Sequence, residues 1–363
     1  MYKFSGRIPA KTIIYIITAW MVMAGLNAWL KSSGLYCDVP YWFPISIFAG
    51  PTVHLSGIPF LIIFILVLFL AIRMAPGLSH YQIWLIGLSL IILGNLGQGG
   101  WHSSFIKPFS ESGMQYYHDA IRISSWTEWL EYFNTNQQDL LCHTRTHPPF
   151  AVLIHYLFLR ISNGNLNLLS MAFVFLSSIS ILLVWKIFRT LGLPAERRNL
   201  LAIIFSVLPA VNIYCGVSLE GLILTGSLLF LSGVVMTLHS GRRTAAGLLS
   251  ISLGMVITSM LSYAGCFLLA VGGLLSFREI SAKREYNFTA AFLISISVFA
   301  AITAAIHLIY GFNYIQGFII SVRLENPDGF SLVNDPLLYL VTRIESASEV
   351  ALFLSLGLLA TLF

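Results

Sequence analysis

The stretch that decides the fold runs from Ser56 to Ile72 and reads SGIPFLIIFILVLFLAI, without one charged side chain. The hydrocarbon core of a bilayer is roughly 30 Å thick and is crossed by a helix of about 20 apolar residues. Runs of this kind recur along almost the whole chain, which is 57% hydrophobic and 10% charged, with a mean hydropathy of +0.83. Too few polar side chains remain to cover a surface in water. The sequence therefore predicts an integral membrane protein.

The apolar segments predict an all-α fold, a polytopic transmembrane helical bundle of about ten membrane segments, the longest segment being counted as two helices. The segments are Thr12 to Leu30, Ser56 to Ile72, Tyr81 to Gln98, Leu166 to Phe188, Asn199 to Ser218, Glu220 to Leu238, Thr244 to Phe277, Asn287 to Gly311 and Glu349 to Phe363. We expect one transmembrane domain over residues 1–363. Its parts are N-terminal helices in 1–98, a large loop with a juxtamembrane helix in 99–165, and the remaining membrane helices in 166–363.

The distribution of basic residues predicts the orientation of the chain. The formal net charge is +5, but Lys and Arg are scattered at helix ends and form no stripe with interleaved aromatic residues, so nucleic acid is not an expected partner. Basic residues beside membrane helices are retained in the cytoplasm. Lys3, Arg7 and Lys11 therefore place the N-terminus inside, and alternation from there places residues 99–147 outside. The expected location is the plasma membrane or an ER-type membrane.

The short apolar stretch from Pro149 to Ile161 decides the rest of the topology. If it crossed the bilayer, the next basic cluster would lie outside, against the usual bias. That cluster contains Lys186, Arg189, Arg197 and Arg198. We therefore expect this stretch to lie at the outer surface. The segment from Thr244 to Phe277 has basic residues at both ends, which predicts a re-entrant or tight hairpin that turns near Thr258 to Tyr263.

Two long polar loops fall on the predicted outer face, and loops on a rigid scaffold often carry function. The first contains Asp119 directly after His118. The other acids of this loop are most simply ordinary solvated charges.

The motif HTRTHPP, residues 143–149, is the most distinctive pattern in that loop. In an extended segment, His143, Arg145 and His147 would project to one side. The two prolines that follow fit the first turn of a helix, where backbone N–H groups and the helix dipole favour an anion. The pattern therefore predicts a phosphate site at the membrane surface. A structural alternative is that the histidines only cap the helix and hold it at the interface.

Residues 116–119, YYHD, followed by residues 146–149, THPP, resemble the first-loop acid and the HPP-type element of the GT-C superfamily of membrane glycosyltransferases. That superfamily includes the protein O-mannosyltransferases and the aminoarabinose transferases that modify lipid A. Residues 208–209, LP, also look similar, as do Glu220 at a helix start and a Gly-rich hairpin that contains residues 258–263. The similarity covers roughly residue 115 to the end of the chain and rests on short motifs.

The resemblance implies a GT-C-like fold and transfer of a sugar from a polyprenyl-phosphate donor, with no cofactor. The acceptor is a hydroxyl of a glycan, lipid or protein on the extracytoplasmic face, as in cell envelope glycan synthesis. A carboxylate would remove the hydroxyl proton during a single displacement. Asp119 is the candidate base. One more pair of helices precedes the loop than in many relatives, which leaves Asp38 as an alternative. The candidates for contact with the lipid phosphate or sugar are His118, His143, Arg145 and His147.

The roles of two further candidates stay open. Glu220 stands where many relatives have a second Asp. It either orients the base or binds acceptor, or it only stabilises its helix start by about 0.3 to 1 kcal/mol. Arg323 is a second phosphate candidate in the last outer loop, and the alternative is an ordinary ion pair with Glu325 or Asp328.

Three further patterns lead to separate predictions. A divalent metal held by loop histidines and Asp119 is an alternative to a metal-free site, although no HExxH or comparable ligand spacing is present. Cys37 and Cys142 both fall in predicted outer loops, where an oxidising compartment permits a disulfide. The aromatic-rich stretch from Trp126 to Phe133 is predicted to form an amphipathic helix on the membrane surface.

Two other classes of function compete with an enzyme. A transporter usually has charged groups near the bilayer midplane and two related halves, whereas the helix centres here are nearly free of charge and no halves match. A non-catalytic subunit of an envelope glycan assembly complex would tolerate the loss of Asp119. The sugar and the acceptor are not specified by the sequence.

Overall fold

The computed structural model describes His54 to Phe353, except residues 112, 114, 241–243 and 283–285, together with single positions between residues 14 and 33. Contacts divide the chain into two compact units. One contains His54–Val207 and Val211–Glu325, and the other contains Met1–Val53, Leu208–Ala210 and Asn326–Phe363. Every regular element in the described part is a helix, which confirms the predicted all-α class.

The α-helices before the longest one are α1 (Ile58–Met74), α2 (His80–Leu96), α3 (Lys107–Ser110), α4 (Tyr117–Ala120), α5 (Trp126–Asn136), α6 (Cys142–Arg145) and α7 (Phe150–Ile161). The remaining helices are α8 (Leu166–Thr190), α9 (Ala195–Val207), α10 (Pro209–Tyr214), α11 (Leu219–Ser240), α12 (Ala245–Leu261), α13 (Cys266–Ser281), α14 (Asn287–Tyr310), α15 (Tyr314–Glu325), α16 (Ser331–Asn334) and α17 (Pro336–Phe353).

Five described helical segments are long and apolar enough to cross a bilayer, so the chain is a multi-pass membrane protein. They are Leu55–Gly77, Leu166–Thr190, Leu219–His239, Tyr263–Ser281 and Asn287–Tyr310. Helices α2, α7 and α12 are apolar but shorter. The predicted total of about ten crossings is not confirmed, and the first and last predicted segments lie largely outside the described residues.

The predicted segment from Asn199 to Ser218 is not one helix. Helix α9 ends at Val207 and α10 begins at Pro209. Proline has no backbone N–H to continue a helix, and its ring disfavours the helical conformation of the residue before it. The Leu-Pro pair therefore ends α9, so the predicted segment consists of two helices, and its crossing of the membrane stays a prediction.

Helices α11 and α12 pack closely because small residues face each other. A Cβ atom built on Gly254 of α12 would meet the backbone of Phe230 and Gly226 in α11, and one on Gly233 would lie 2.7 Å from the carbonyl oxygen of Gly247. Small residues allow this approach in membrane proteins, where dispersion contacts drive helix association.

A helix break lies in the region where the turn was predicted, and the re-entrant or tight hairpin stays a prediction. Helix α12 ends at Leu261, Ser262 is extended, and α13 begins at Cys266. At the far end of α13, the Glu279 carboxylate accepts backbone N–H groups of Phe288 and Thr289, at 3.1 and 2.7 Å. The end of α13 is thereby fixed to the start of α14.

Polar contacts between helices position α2 against α8 and α10. The indole nitrogen of Trp84 donates to the Ser178 hydroxyl at 2.9 Å. The Asn95 amide donates to the Asn212 carbonyl at 2.7 Å, and the Asn212 amide donates to the Leu90 carbonyl at 3.1 Å.

Helix α7 has 12 residues and is about 18 Å long. It is therefore shorter than a bilayer core is thick, as the prediction of a surface position requires.

Candidate functional site

Tyr116 is surrounded by histidine side chains from α6, from α7 and from the segment between these two helices. Its side chain is 2% exposed, and its ring centroid is 5.4 Å from His147, 6.2 Å from His143 and 5.4 Å from His155. Burial raises the pKa of the Tyr116 hydroxyl above its usual range, and nearby Glu220 and Cys142 act in the same direction. The hydroxyl is therefore protonated throughout the physiological range.

Asp119 follows Tyr116 by one helical turn and is buried, at 3% exposure. Its Oδ2 accepts the backbone N–H of Leu141 at 3.3 Å. Its Oδ1 lies 3.7 Å from Nη1 of Arg122, whose side chain is largely exposed, so this pair is weak. The carboxylate thus connects the YYHD segment to the chain just before the HTRTHPP motif.

The start of the HTRTHPP motif is helical, which corrects the prediction of an extended segment. Cys142 to Arg145 form α6, and the Thr146 hydroxyl donates to the carbonyls of Cys142 and His143 at 3.3 and 3.4 Å. A threonine hydroxyl can satisfy nearby carbonyl groups and stabilise such a local turn. His143 and His147 approach the Tyr116 ring because the turn folds the segment back.

His147 is held as a neutral ring. Its Nδ1 lies 2.9 Å from the carbonyl oxygen of His143, which can only accept, so Nδ1 carries the proton. Burial lowers the pKa of His147 and the charge of His143 acts with it, whereas the hydrogen bond to His143 and the charge of Glu325 oppose this shift. A neutral ring protonated on Nδ1 has Nε2 as an acceptor. It therefore suits a hydroxyl better than the phosphate expected from the sequence.

Arg145 is the basic side chain of the HTRTHPP motif that has a free N–H for an anionic ligand among the described residues. Its Nε is buried and has no hydrogen-bond partner among the described residues, and no described acid forms an ion pair with it. Its backbone is fixed because Gln137 Nε2 donates to its carbonyl at 2.8 Å. A buried guanidinium N–H without a partner costs free energy, which an anionic ligand would recover.

Helix α15 packs against this motif. The Ser321 hydroxyl donates to the Thr146 carbonyl at 2.9 Å, and Gln137 Nε2 donates to the Gly317 carbonyl at 3.0 Å. Arg323 of the same helix is exposed, and no described ion pair joins it to Glu325. The ion pair of Arg323 with Glu325 is thus not found among the described residues, and the phosphate interpretation of Arg323 stays a prediction.

Glu220 lies in the first turn of α11, and its backbone N–H donates to the Ser218 hydroxyl at 3.3 Å. The same hydroxyl donates to the Glu220 carboxylate. Glu220 is close enough for its charge to act on the pKa of Tyr116. It is therefore both part of the helix start and a neighbour of the candidate site.

An apolar groove of about 590 Å³ is lined in part by the helix that follows the HTRTHPP motif, α7, and by the helix whose first turn contains Glu220, α11. Phe150 lies three residues after His147, and Leu222 lies two residues after Glu220. The groove is lined by residues of α7, α8, α11 and α12, namely Phe150, Leu153, Ile154, Leu157, Leu176, Ile179, Leu183, Leu222, Thr225, Gly226, Leu229, Val256, Ile257, Met260 and Leu261. The arrangement suits a molecule with a polar head and a long apolar chain.

A second cavity, of about 480 Å³, is lined by residues of α4 and α7. Tyr117, Tyr156, Arg160 and Asn163 contribute its polar side chains. His118, between Tyr117 and Asp119, has a buried Nε2 without a partner in the described part of the chain.

The structure thus brings Asp119, His143, His147 and Glu220 close to Tyr116 or to its neighbours, whereas Arg323 is exposed. The central position of Tyr116 was missed, although its place three residues before Asp119 puts both on one helix face. The approach of Glu325 to His147 had no local signal because the two are far apart in sequence. Within the described ranges, no three His, Cys, Asp or Glu side chains converge as metal ligands. Asp38 and Cys37 lie outside the described residues, so the alternative base and the disulfide to Cys142 stay predictions.

No protein-family model, curated protein or solved structure matches this chain. A functional interpretation therefore rests on its own side chains and their contacts.

Proposed function

We propose that the chain is an integral membrane glycosyltransferase. It transfers a sugar from a polyprenyl-phosphate donor to a hydroxyl of a glycan, lipid or protein acceptor on the extracytoplasmic face. The observation that supports this best is that the turn bonded to a buried carboxylate carries an unpaired guanidinium N–H and leads directly into α7, a helix that lines an apolar groove.

The groove suits the isoprenoid chain of the donor. Its volume of about 590 Å³ is within the range of ligand sites. An isoprenoid chain bound there would have its apolar surface covered by the apolar side chains of the groove. The donor phosphate would then lie near Arg145, whose planar guanidinium binds phosphate oxygens through paired hydrogen bonds. The neutral His147 would accept a hydrogen bond from a sugar hydroxyl through Nε2.

Asp119 is the proposed general base. Its carboxylate takes the proton of the acceptor hydroxyl while that oxygen forms a bond to the anomeric carbon. The bond from the anomeric carbon to the phosphate oxygen breaks, and the electron pair leaves with the lipid phosphate. Arg145 stabilises the charge that develops on this leaving group. The hydrogen bond from Leu141 and the charge of Arg122 keep Asp119 oriented.

The test is release of polyprenyl phosphate by purified protein in lipid nanodiscs, with a panel of short-chain polyprenyl-phosphate sugars and candidate acceptors. We expect Asp119→Asn to lower turnover by about 10²-fold or more while donor binding persists, because the amide oxygen still accepts the Leu141 N–H. Asp139→Asn is the matched control, since Asp139 is exposed in the same loop. Full turnover by Asp119→Asn would remove the assigned base. Failure of the folded wild type to bind any donor would favour transport or assembly.

A further inference from the structure

A second group of basic side chains lies at the other end of α8, far from the candidate site, and surrounds Trp185. The guanidinium carbons of Arg198 and Arg189 lie 4.4 and 5.6 Å from the centroid of the Trp185 ring. The His80 ring centroid is 5.1 Å from the same ring. We call Trp185, Arg189, Arg198 and His80 the Trp185 cluster.

The indole at the centre of the Trp185 cluster is fixed in place. Its Nε1 donates to Oδ1 of Asn199 at 2.9 Å. The Asn199 amide donates to the carbonyls of Ala75 and Leu78, both at 2.8 Å, and Asn199 is 1% exposed. One buried amide therefore joins α8, α9 and the connection between α1 and α2, so the surface that carries the arginines is preformed.

The Trp185 cluster has an excess of positive charge. Lys186 follows Trp185 and Arg197 precedes Arg198 in the sequence. The nearest acid in sequence, Glu196, is exposed and forms no ion pair among the described residues. Nε of Arg198 is buried without a hydrogen-bond partner in the same set of residues. Two guanidinium groups beside one ring repel each other, and an unpaired buried N–H costs free energy. One bound anion would offset both effects.

The position of the Trp185 cluster specifies the source of that anion. Helix α8 has 25 residues, about 37 Å, and is a candidate membrane span, so its end lies at a membrane surface where lipid phosphates are concentrated. Apolar side chains close to the cluster in sequence, Met74 and Leu191, are 58% and 49% exposed. They offer contacts to acyl chains below a headgroup.

We propose that the Trp185 cluster binds the phosphate of an anionic phospholipid, with Arg189 and Arg198 as its ligands. Basic pockets between transmembrane helices bind such headgroups, and guanidinium groups do so with two parallel hydrogen bonds. The site is independent of the proposed transferase activity. Bound lipid would connect the ends of α8 and α9 to the turn between α1 and α2.

Native mass spectrometry of the detergent-solubilised full chain tests this, with phosphatidylglycerol or phosphatidylcholine added. Wild type is expected to retain phosphatidylglycerol in preference to phosphatidylcholine, and Arg198→Gln to retain at least fivefold less. Arg160→Gln, the same change before the opposite end of α8, should behave as wild type. Equal retention by Arg198→Gln, or equal loss by both variants, would overturn the proposal.

Thermal unfolding with each lipid provides the second measurement. Phosphatidylglycerol should raise the Tm of wild type and of Arg160→Gln, but not of Arg198→Gln. If Arg198→Gln does not fold, the exposed Arg189→Gln carries the same expectation. Inorganic phosphate is the third probe. If it raises the Tm through Arg198 and phosphatidylglycerol does not, the ligand is a soluble phosphate and the lipid assignment is wrong.

Discussion

Buried His147 is expected to make the stability of the folded protein depend on pH. Burial lowers its pKa, so its neutral form is favoured in the folded protein. In the unfolded chain the His147 side chain has a pKa of about 6.5. Protonation of His147 below that pH therefore stabilises the unfolded state. We expect the Tm to be constant above about pH 6.5 and to fall as the pH drops from there toward the lower pKa of folded His147.

The measurement is thermal unfolding between about pH 7.5 and 5.5. His147→Gln should reduce the slope of the profile without removing it, because glutamine does not titrate while buried His155, whose pKa is lowered to about 4, still does. His239→Gln should leave the slope unchanged, because His239 is exposed at the end of α11. A wild-type profile that is flat over this interval would contradict the assignment of a buried neutral ring.

Tyr116 is predicted to be essential for stability. Because it is 2% exposed and contacts three histidine rings, Tyr116→Ala leaves a cavity and should cost about 3 to 5 kcal/mol, the range for buried aromatic residues. Tyr132→Ala is the control, since Tyr132 is 52% exposed and should change stability by about 0.5 kcal/mol or less. Comparable Tm losses in the two variants would show that Tyr116 is not a core residue.

The sequence located Asp119 and the HTRTHPP motif, but it gave the Tyr116 ring no role beyond its place in the YYHD motif. Hydropathy cannot separate a ring at the membrane surface from one buried under the histidines. The turn of α6 was also missed, because it depends on the Thr146 hydroxyl and on the distant acceptor Asp119. Short polar segments are determined by such side-chain hydrogen bonds rather than by periodicity.

Among the elements, the contact of α11 with α12 is predicted to tolerate the least change. Gly254→Ala would place a methyl group against the backbone of Phe230 and Gly226. Overpacking of this kind costs about 1 to 3 kcal/mol, more than the roughly 1 kcal/mol gained in helix propensity. We expect a lower Tm for Gly254→Ala.

Gly273→Ala in α13 is the matched control, because nothing lies within 4 Å of its added Cβ atom. It gains propensity without a clash, so its Tm should equal or exceed that of wild type. If both alanine variants unfold at the wild-type temperature, the two helices are not packed as closely as described.

Element boundaries could be predicted where charge or proline specifies them. Basic residues at both ends of Thr244 to Phe277 predicted a turn in the region where the helix break lies, at Ser262. The count of crossings could not be predicted in the same way, because helices of 17 residues or fewer, such as α2 and α12, are as apolar as the long ones. A helix that crosses lipid and a helix buried in the protein core are both apolar, so only the length of the helix distinguishes the two.

On the scale of the whole molecule, polar and cationic groups lie at both ends of α8, with an apolar groove between them. Asp119, Arg145 and His147 belong to the end where α8 begins, and the Trp185 cluster belongs to the end where it stops. The proposed transfer uses an extracytoplasmic acceptor, so it requires the end where α8 begins to face away from the cytoplasm. The basic residues at the other end of α8 predict the same orientation, because such residues are expected inside.

Cysteine accessibility tests this orientation. Ser124 and Ala195 are both exposed; Ile123, next to Ser124, lines a cavity with Gly164 just before α8, and Ala195 lies just after α8 ends. In a background without the four native cysteines, a membrane-impermeant maleimide should label Ser124→Cys in intact cells and Ala195→Cys only after permeabilisation. The reverse pattern would place Asp119 in the cytoplasm, where an extracytoplasmic acceptor could not reach it, and would exclude the proposed reaction.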